Sequence, residues 1–339
     1  MKIGNHKTEQ RVFVIAEISA NHSGSLQIAK DSIYAAKEAG ADAVKLQTYT
    51  PEWMTIDIKK DDFIIKGGTL WDGKTLFELY KEAMTPLEWH EDLFAYARSL
   101  GLEIFSSPFS KEAIDFLEQF NPAAYKIASF EITDYELVEY AASKKRPLIV
   151  STGVAEFEDM EHAVKSAKRY GIEIALLKCT SAYPAPRSDA NLRTIPALKD
   201  IFGCEVGFSD HTLGISAPVA AVALGARIIE KHFILDKSLD STDKEFSLAP
   251  KEFKEMVEAV RETEEMLGKV DLSPKKGKEF ARSLYVVEEI KAGERFTRQN
   301  IRAIRPGFGL HPKYLPEILG RKATRDICKG ERLSFKDID

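Results

Sequence analysis

The stretch that decides the fold is 207–233, which reads GFSDHTLGISAPVAAVALGARIIEKHF. A short buried strand is followed by a Ser-Asp-His-Thr turn, an apolar helix pattern from Ile215 to Leu224, and a second buried strand, Arg227–Glu230. In a βαβ unit the two strands are parallel and commonly adjacent. We therefore expect His211 and His232, just past the two strand ends, to lie a few ångströms apart on one edge of a sheet.

These two histidines predict a metal or substrate site. Ligands of α/β proteins bind at the carboxyl ends of the strands, and two neutral imidazoles with open positions beside them suit a divalent metal that acts as a Lewis acid. The alternative is that each histidine is a hydrogen-bonded polar cap of its strand. Ser209, Asp210 and Glu230 favour the functional interpretation, because so many polar groups at two strand ends need a shared purpose.

Bulk properties exclude several classes of protein. The 339 residues leave room for one large domain and a small one, and 44% of them are hydrophobic. The net charge of −5 is made of interspersed signs, which argues against a nucleic-acid surface. No apolar run approaches the roughly 20 residues of a membrane span, and the start lacks a signal-peptide core. Cys179, Cys204 and Cys328 have no zinc or CxxC spacing, which predicts a reducing cytoplasm and, for Cys179, buried packing.

Strand and helix patterns alternate eight times before Gly268, which predicts a (β/α)8 TIM barrel over residues 1–268. A doubly wound open sheet is the alternative, but no glycine-rich dinucleotide turn follows the first strand. The predicted strands are Val12–Ile18, Ala43–Gln47, Glu103–Ser106, Ala124–Ala128, Leu148–Ser151, Ile174–Lys178, Glu205–Phe208 and Arg227–Glu230.

Lysines and hydroxyls at these strand ends predict an anion site. A lysine at a strand end is costly to bury unless it is paired with an anion, although each lysine alone could extend its ammonium group to solvent. We predict a cradle for a small phosphorylated and carboxylated ligand, built from Lys45 and Lys126 with Ser107, Ser129, Ser151 and Ser209.

The longest strand-to-helix connection, 48–74, contains aromatic and charged residues and a Gly67–Gly68 pair. A loop of this length in a compact domain is commonly functional. We interpret it as part of an active-site wall, and a solvated surface loop is the alternative.

Composition changes after Gly268. Residues 269–280 form a polar, lysine-rich linker, and 281–339 predict a small β-rich domain with a helical piece over 297–304. The segments EIKAGERFTRQNI (289–301) and DICKGERLSFKDI (326–338) look like two copies of one turn. A domain of about 60 residues has little core of its own, so we expect it to dock on another surface.

The residues described so far resemble the sialic acid synthases, which condense phosphoenolpyruvate with a sugar to make nine-carbon sugar acids. The matching pieces are AEISANHSGS, AVKLQTY, SSPFS, AYKIASFE, VSTG, LLKCTSAYPAP, FSDHTLG and IEKHF, and SLYVVEEIKAGERF with IRAIRPGFGL resembles the family's antifreeze-like (SAF) domain. Two features point to the pseudaminic acid synthase branch. The segment 62–90 looks like that branch's loop after the second strand, and the Asp240–Asp243 turn reads DSTD where N-acetylneuraminate synthases usually have Pro-Gly-Pro-Asp.

The resemblance implies condensation of phosphoenolpyruvate with 2,4-diacetamido-2,4,6-trideoxy-altrose and water to give pseudaminate, a flagellin- or surface-glycan sugar, and phosphate. It implies a divalent metal on His211 and His232, usually manganese, with magnesium or cobalt as alternatives. It implies a domain-swapped homodimer in which the C-terminal domain closes the partner's site. The implied roles are Glu17, Glu230, His211 and His232 in catalysis; Lys45, Ser107, Lys126, Ser129, Ser151 and Ser209 on phosphoenolpyruvate; and Gln47, Tyr183, Asp243 and Arg305 on the sugar.

Other activities compete with this interpretation. A Kdo-8-phosphate or DAHP-type synthase would share the barrel and the anion cradle but would lack the C-terminal domain. A legionaminate or N-acetylneuraminate synthase differs only in the sugar. A non-enzymatic protein that binds through its antifreeze-like module is the alternative from another class. Glu17 could also be a structural partner of Lys45, and Glu230 could pair with Lys231 or orient a histidine.

Overall fold

The computed structural model describes residues 1–66, 68, 71–273 and 276–339, and the chain divides into two compact units, Met1–Gly268 and Lys269–Asp339. Gly67 of the predicted glycine pair lies outside the described residues, as do Pro274 and Lys275 of the predicted linker.

The first unit is a closed barrel of eight parallel strands, which confirms the predicted (β/α)8 fold and excludes the open sheet. Its strands follow a short N-terminal hairpin, and their order around the barrel is the order along the chain. The predicted strand ends were correct to within two residues. The strands are β1 (Lys2–Ile3), β2 (His6–Lys7), β3 (Phe13–Glu17), β4 (Ala43–Thr48), β5 (Glu103–Pro108), β6 (Tyr125–Ile127), β7 (Leu148–Ser151), β8 (Ile174–Cys179), β9 (Glu205–Asp210) and β10 (Ile228–His232).

Helices surround the barrel and have recognisable ends. The Ser25 hydroxyl accepts from the Ile28 N–H at the start of the first helix. Gly171, with φ of +69°, ends the seventh helix in the left-handed conformation that glycine adopts without strain. The helices are α1 (Leu26–Glu38), α2 (Pro51–Met54), α3 (Leu76–Ala83), α4 (His90–Ser99), α5 (Lys111–Glu118), α6 (Tyr135–Ser143), α7 (Phe157–Tyr170), α8 (Thr194–Phe202), α9 (Ser216–Ala223) and α10 (Pro250–Leu267).

The side chains of each strand alternate between two cores. Residues such as Val14 and Val44 face outward into the apolar layer beneath the helices, whereas Phe13, Ile15 and Phe105 fill the barrel interior. This alternation continues to the carboxyl end of each strand, so alternate residues there face the interior as Phe13 and Ile15 do. Polar residues at the carboxyl ends of the strands therefore converge at the mouth of the barrel.

The N-terminal hairpin closes the opposite end of the barrel and was not predicted. Ile3 is fully buried and belongs to the interior core. The backbone N–H of Lys2 donates to Glu173 and that of Asn5 donates to Glu103, and both carboxylates lie at or just before the first residue of a barrel strand. Two strands of two residues each leave no periodic pattern in the sequence, which explains why the hairpin was missed.

The second unit contains an antiparallel pair, β11 (Ser283–Val286) and β12 (Ile301–Ile304), and one short helix, α11 (Leu315–Ile318). The predicted helical piece over 297–304 was wrong, because its apolar residues Ile301 and Ile304 belong to β12. The unit has its own core, formed by Leu284, Val286, Ile290, Phe296, Ile301, Ile318, Ala323, Ile327, Leu333 and Ile338.

The two copies of the repeated turn pair with each other in this unit. Ile290 N–H donates to the Ile327 carbonyl at 3.0 Å, and Ile327 N–H donates to the Ile290 carbonyl at 2.8 Å. The Glu294 and Glu331 carboxylates each accept from the backbone N–H three residues earlier. The repeat is therefore a pair of equivalent arms that complete one small core.

No helix in the described ranges is both long and apolar enough to cross a lipid bilayer.

Candidate active site

Two buried lysines stand at the centre of the barrel mouth. Lys45 and Lys126 are 3% and 2% exposed, so neither extends its ammonium group to solvent. Lys45 Nζ lies 2.5 Å from Glu17 Oε2 and 3.1 Å from Ser107 Oγ. Lys126 Nζ donates to Ser151 Oγ at 2.7 Å. The predicted convergence of both lysines and two of the serines is present.

Glu230 lies between the two lysines. Its Oε1 is 3.8 Å from Lys45 Nζ and 3.5 Å from Lys126 Nζ, and it accepts from Ser209 Oγ at 3.0 Å. Lys231 instead points to the outer face of the barrel wall and pairs with Asp210. The alternative pairing of Glu230 with Lys231 was therefore wrong.

The charges at the mouth shift one another's pKa values. Burial raises the pKa of Glu17 although Lys45 opposes the shift. Burial alone would raise the pKa of Glu230, but Lys126 and Lys45 outweigh it and the pKa is lowered. Burial lowers the pKa of Lys126, whereas Glu17 and Glu230 overcome burial and raise that of Lys45. Of these two carboxyls, Glu17 is therefore the one that more readily holds a proton, and Glu230 the one that stays ionised.

Two serine hydroxyls pack closely against Gly153, which follows β7. A Cβ added there would lie 2.2 Å from Ser181 Oγ and 2.6 Å from Ser129 Oγ. Ser129 Oγ accepts from the Val154 N–H at 3.1 Å and from Ser181 Oγ at 2.8 Å. A residue larger than glycine at position 153 would therefore displace the hydroxyl of Ser129, one of the residues predicted for the anion, or that of Ser181.

The two predicted histidines are neighbours, with 5.3 Å between their ring centroids. His211 Nδ1 lies 3.0 Å from the Thr180 carbonyl, to which it donates, so its Nε2 carries the free lone pair. His232 Nδ1 is buried without a hydrogen-bond partner in the described chain. Burial lowers the pKa of His211 to about 4 and that of His232 well below its ordinary value, so both rings are neutral at physiological pH.

This pair fits a divalent metal in its chemistry. Neutral imidazoles with free lone pairs are metal ligands, and the Thr180 carbonyl fixes one ring in the manner of a supporting hydrogen bond. Within the described ranges, no group of three or more histidine, cysteine or acidic side chains is arranged to hold a metal. Two histidine ligands would leave the remaining positions of such a metal to water or substrate.

Two of the residues predicted for the sugar, Gln47 and Asp243, are linked through Ser19. Gln47 Nε2 donates to Glu17 Oε1 at 3.1 Å and to Ser19 Oγ at 2.9 Å. Asp243 accepts a hydrogen bond from Ser19, and burial raises the pKa of its carboxyl. Asp243 Oδ2 lies 3.6 Å from His232 Nδ1.

Tyr183 connects the histidines to the long connection after β4. Its ring centroid lies 4.4 Å from that of His211 and 6.0 Å from that of Trp71. This connection thus reaches the mouth with at least one aromatic side chain, as expected for a wall. Arg305 is carried by the second unit, where it directly follows β12.

Two residues at the mouth were not predicted. Glu131 follows β6 in the same connection as Ser129, and its Oε2 is shut off from water without a hydrogen-bond partner among the described residues. Burial raises its pKa to about 7. Cys179 is buried as expected, but it faces the barrel interior with Sγ 3.9 Å from His211 Nδ1. The inward position of Cys179 could have been predicted, because Ala175 and Leu177 face inward in β8 and alternate residues of a strand share a face. Glu131 lies in a loop, where no such alternation applies.

Comparisons with known proteins agree on one family. A model of the NeuB family matches residues 32–271, and a model of the SAF domain matches 281–339. A pseudaminic acid synthase from Campylobacter jejuni is 54% identical over 99% of each chain. An N,N'-diacetyllegionaminic acid synthase from Legionella pneumophila is 36% identical over 96% of this chain and 94% of that one. The crystal structure of a spore coat polysaccharide biosynthesis protein from Bacillus subtilis is 35% identical, with a TM-score of 0.68 over 100% of this chain and 99% of that one.

Proposed function

The chain belongs to the NeuB family, and we propose on that premise that it catalyses the pseudaminic acid synthase reaction. Phosphoenolpyruvate, 2,4-diacetamido-2,4,6-trideoxy-altrose and water give pseudaminate and phosphate. The observation that carries the choice of sugar is the 54% identity over 99% of both chains to a pseudaminic acid synthase. Legionaminate and N-acetylneuraminate synthases are less supported, since the legionaminic relative is 36% identical.

Phosphoenolpyruvate binds at the two lysines. Its phosphate and carboxylate are the anions that offset two ammonium groups otherwise buried at high cost. The geometry that supports this assignment is the approach of Lys45 and Lys126 to hydroxyls at neighbouring strand ends. The residues that hold the anion are Lys45, Ser107, Lys126, Ser129, Ser151 and Ser209.

His211 and His232 hold the divalent metal through their free ring nitrogens, and both rings are kept neutral by burial. We assign manganese, with magnesium and cobalt as alternatives. When bound, the metal supplies Lewis-acid polarisation of the sugar's aldehyde oxygen. Asp243, Tyr183 and Gln47 surround this position and orient the sugar.

The two carboxylates have different roles because their environments push their pKa values apart. C3 of phosphoenolpyruvate attacks the aldehyde carbon, and water adds at C2 before phosphate leaves. Glu17, whose pKa is raised, exchanges a proton with this water or holds it in place. Glu230 stays ionised between the lysines and keeps both ammonium groups at the anion site.

The active enzyme is a domain-swapped homodimer in this proposal. Residues 269–280 cross to the partner subunit, and residues 281–339 close the partner's barrel mouth with Arg305 against the acyl groups of the sugar. We assign the enzyme to the cytoplasm because its three cysteines are free, and we assign its product to the modification of flagellin or surface glycans.

The test is phosphate release from phosphoenolpyruvate with Mn²⁺, run in parallel with the diacetamido-trideoxy-altrose and with N-acetylmannosamine, each with an EDTA control. Turnover of the altrose alone, abolished by EDTA, is the expected result. Turnover of N-acetylmannosamine alone would contradict the choice of sugar and leave the anion site intact. Release with neither sugar would contradict the enzymatic proposal.

A further inference from the structure

A buried ion pair lies on the outer face of the barrel wall, directly behind the two histidines. Lys231 Nζ is 2.6 Å from Asp210 Oδ2, and both side chains are fully shielded from water. The two residues face each other across β9 and β10 in the strand register. Each precedes a histidine, and because alternate residues face opposite sides of the wall, the pair points away from the mouth while the histidines point into it.

The pair also holds the turn that contains His211. Asp210 Oδ1 accepts from the Thr212 N–H at 2.8 Å, and Lys231 Nζ donates to the Thr212 carbonyl. The backbone N–H and carbonyl of the residue after His211 are thus held by the two side chains of the ion pair. His232 is the next residue along β10, so one cluster of hydrogen bonds fixes the backbone that carries both rings.

Stability alone does not account for this arrangement. Moving two charges out of water costs several kcal/mol for each ion, and an apolar pair of similar volume is often as stable or more stable. A pair with directional hydrogen bonds to one turn supplies orientation, which an apolar pair does not.

We propose that Lys231 and Asp210 are positioning residues that set the separation and orientation of His211 and His232 for a shared divalent cation. This inference rests on the proposed function, since it takes the two histidines as the metal ligands. Groups that orient metal ligands change metal affinity by about 10- to 100-fold when they are removed. The anion site lies on the inner face, so its affinity does not depend on this pair.

The test uses the full-length chain with both charges removed together, as Lys231→Met with Asp210→Asn. Methionine has a similar length without the charge, and asparagine keeps an acceptor for the Thr212 N–H. We expect the Kd for Mn²⁺, measured by the EPR signal of the free ion, to rise about 10- to 100-fold. We expect the KM for phosphoenolpyruvate at saturating Mn²⁺ to change less than about twofold and the melting temperature by only a few degrees.

Three further variants make the result decisive. Arg261→Met with Asp42→Asn removes another 2.6 Å ion pair at the amino end of β4 and should leave the Kd for Mn²⁺ unchanged. Asp210→Asn alone, which keeps Lys231, serves if the double variant does not fold, and should weaken Mn²⁺ binding in the same direction. Mn²⁺ binding that persists in His211→Ala with His232→Ala would contradict the metal assignment itself. If Mn²⁺ binding is lost in the double histidine variant but unchanged in both variants that carry Asp210→Asn, only the present inference is overturned.

Discussion

Glu17 Oε2 lies 2.5 Å from Lys45 Nζ, and this ion pair fills the place where an incoming anion would meet the lysine. Both side chains are buried, so neither exchanges its partner for water at low cost. At the anion site proposed above, phosphoenolpyruvate would therefore share Lys45 with Glu17 or displace it. The raised pKa of Glu17 eases this competition, because a protonated carboxyl holds the ammonium group less strongly.

Glu17→Gln separates the catalytic role of Glu17 from its structural role. Glutamine keeps the shape but cannot exchange a proton, so kcat should fall about 100- to 10,000-fold. The KM for phosphoenolpyruvate should stay the same or fall, because a competing negative charge has been removed. Steady-state phosphate release measures both constants. An unchanged kcat would mean that Glu17 is only the partner of Lys45.

Lys126→Ala should weaken the anion site. A hydrogen bond to a charged group contributes about 1.5–3 kcal/mol, so the kcat/KM for phosphoenolpyruvate should fall about 10- to 150-fold. The KM for the sugar should change much less. Lys111→Ala is the matched control, because it removes an exposed ammonium group that pairs with Glu136. Equal effects on both substrates would argue against direct contact between Lys126 and phosphoenolpyruvate.

Gly153→Ala should disturb the proposed anion site through Ser129. The new methyl group would meet Ser181 Oγ at 2.2 Å and Ser129 Oγ at 2.6 Å, so one or both hydroxyls must move. We expect the KM for phosphoenolpyruvate to rise at least tenfold, which corresponds to about 1.4 kcal/mol. Gly171→Ala is the control. Because Gly171 has a φ of +69° and open space around it, this substitution should cost about 1 kcal/mol of stability and leave the KM for phosphoenolpyruvate unchanged. A normal KM in Gly153→Ala would place the anion elsewhere.

Glu131 should make the ligand-free protein less stable as pH rises. Burial raises its pKa from 4.5 to about 7 in the folded chain. The stability that its protonated form contributes is fully present below pH 4.5 and is lost as pH rises through about 7. Glu131→Gln removes this dependence. From pH 5 to pH 8, the free energy of unfolding of the wild type should therefore fall by about 1–3 kcal/mol relative to that of the variant. Urea unfolding at both pH values measures the difference, and a constant offset would contradict the shifted pKa.

Mixing two inactive chains tests the swapped dimer. His232→Ala removes a metal ligand from the barrel, and Arg305→Ala alters only the second unit. If each site combines a barrel with the partner's Arg305, a mixed dimer contains one intact site. Subunit exchange should therefore restore activity to a mixture of the two variants. Should no activity return although mixed dimers are shown to form, Arg305 acts within its own chain.

Much of the barrel mouth follows from the sequence because strand alternation is strict. Once Phe13 and Ile15 are assigned to the interior, Glu17 must join them, and the same reasoning places Lys45 and Lys126. The pairing of His211 with His232 follows from the parallel βαβ unit. These positions depend on the alternation of side chains along each strand and on the order of strands and helices, and both can be read from the sequence.

What the sequence could not predict depends on contacts between distant segments. Glu131 stands in a short turn, and only the packed structure reveals that its Oε2 lacks a partner in the described chain. The pairing of Lys231 with Asp210 depends on the register between β9 and β10, which alternation along one strand does not give. The hairpin of Lys2–Lys7 is held by carboxylates more than 90 residues away. Local patterns do not encode such partners.

The reciprocal hydrogen bonds between Ile290 and Ile327 make the two arms of the second unit mutually dependent. Each arm supplies the donor and the acceptor that the other needs, and the core residues come from both. When one arm opens, the other loses its bonds and its apolar cover in the same event. The arms therefore fray together, and amide protons on both should exchange with solvent at one common rate.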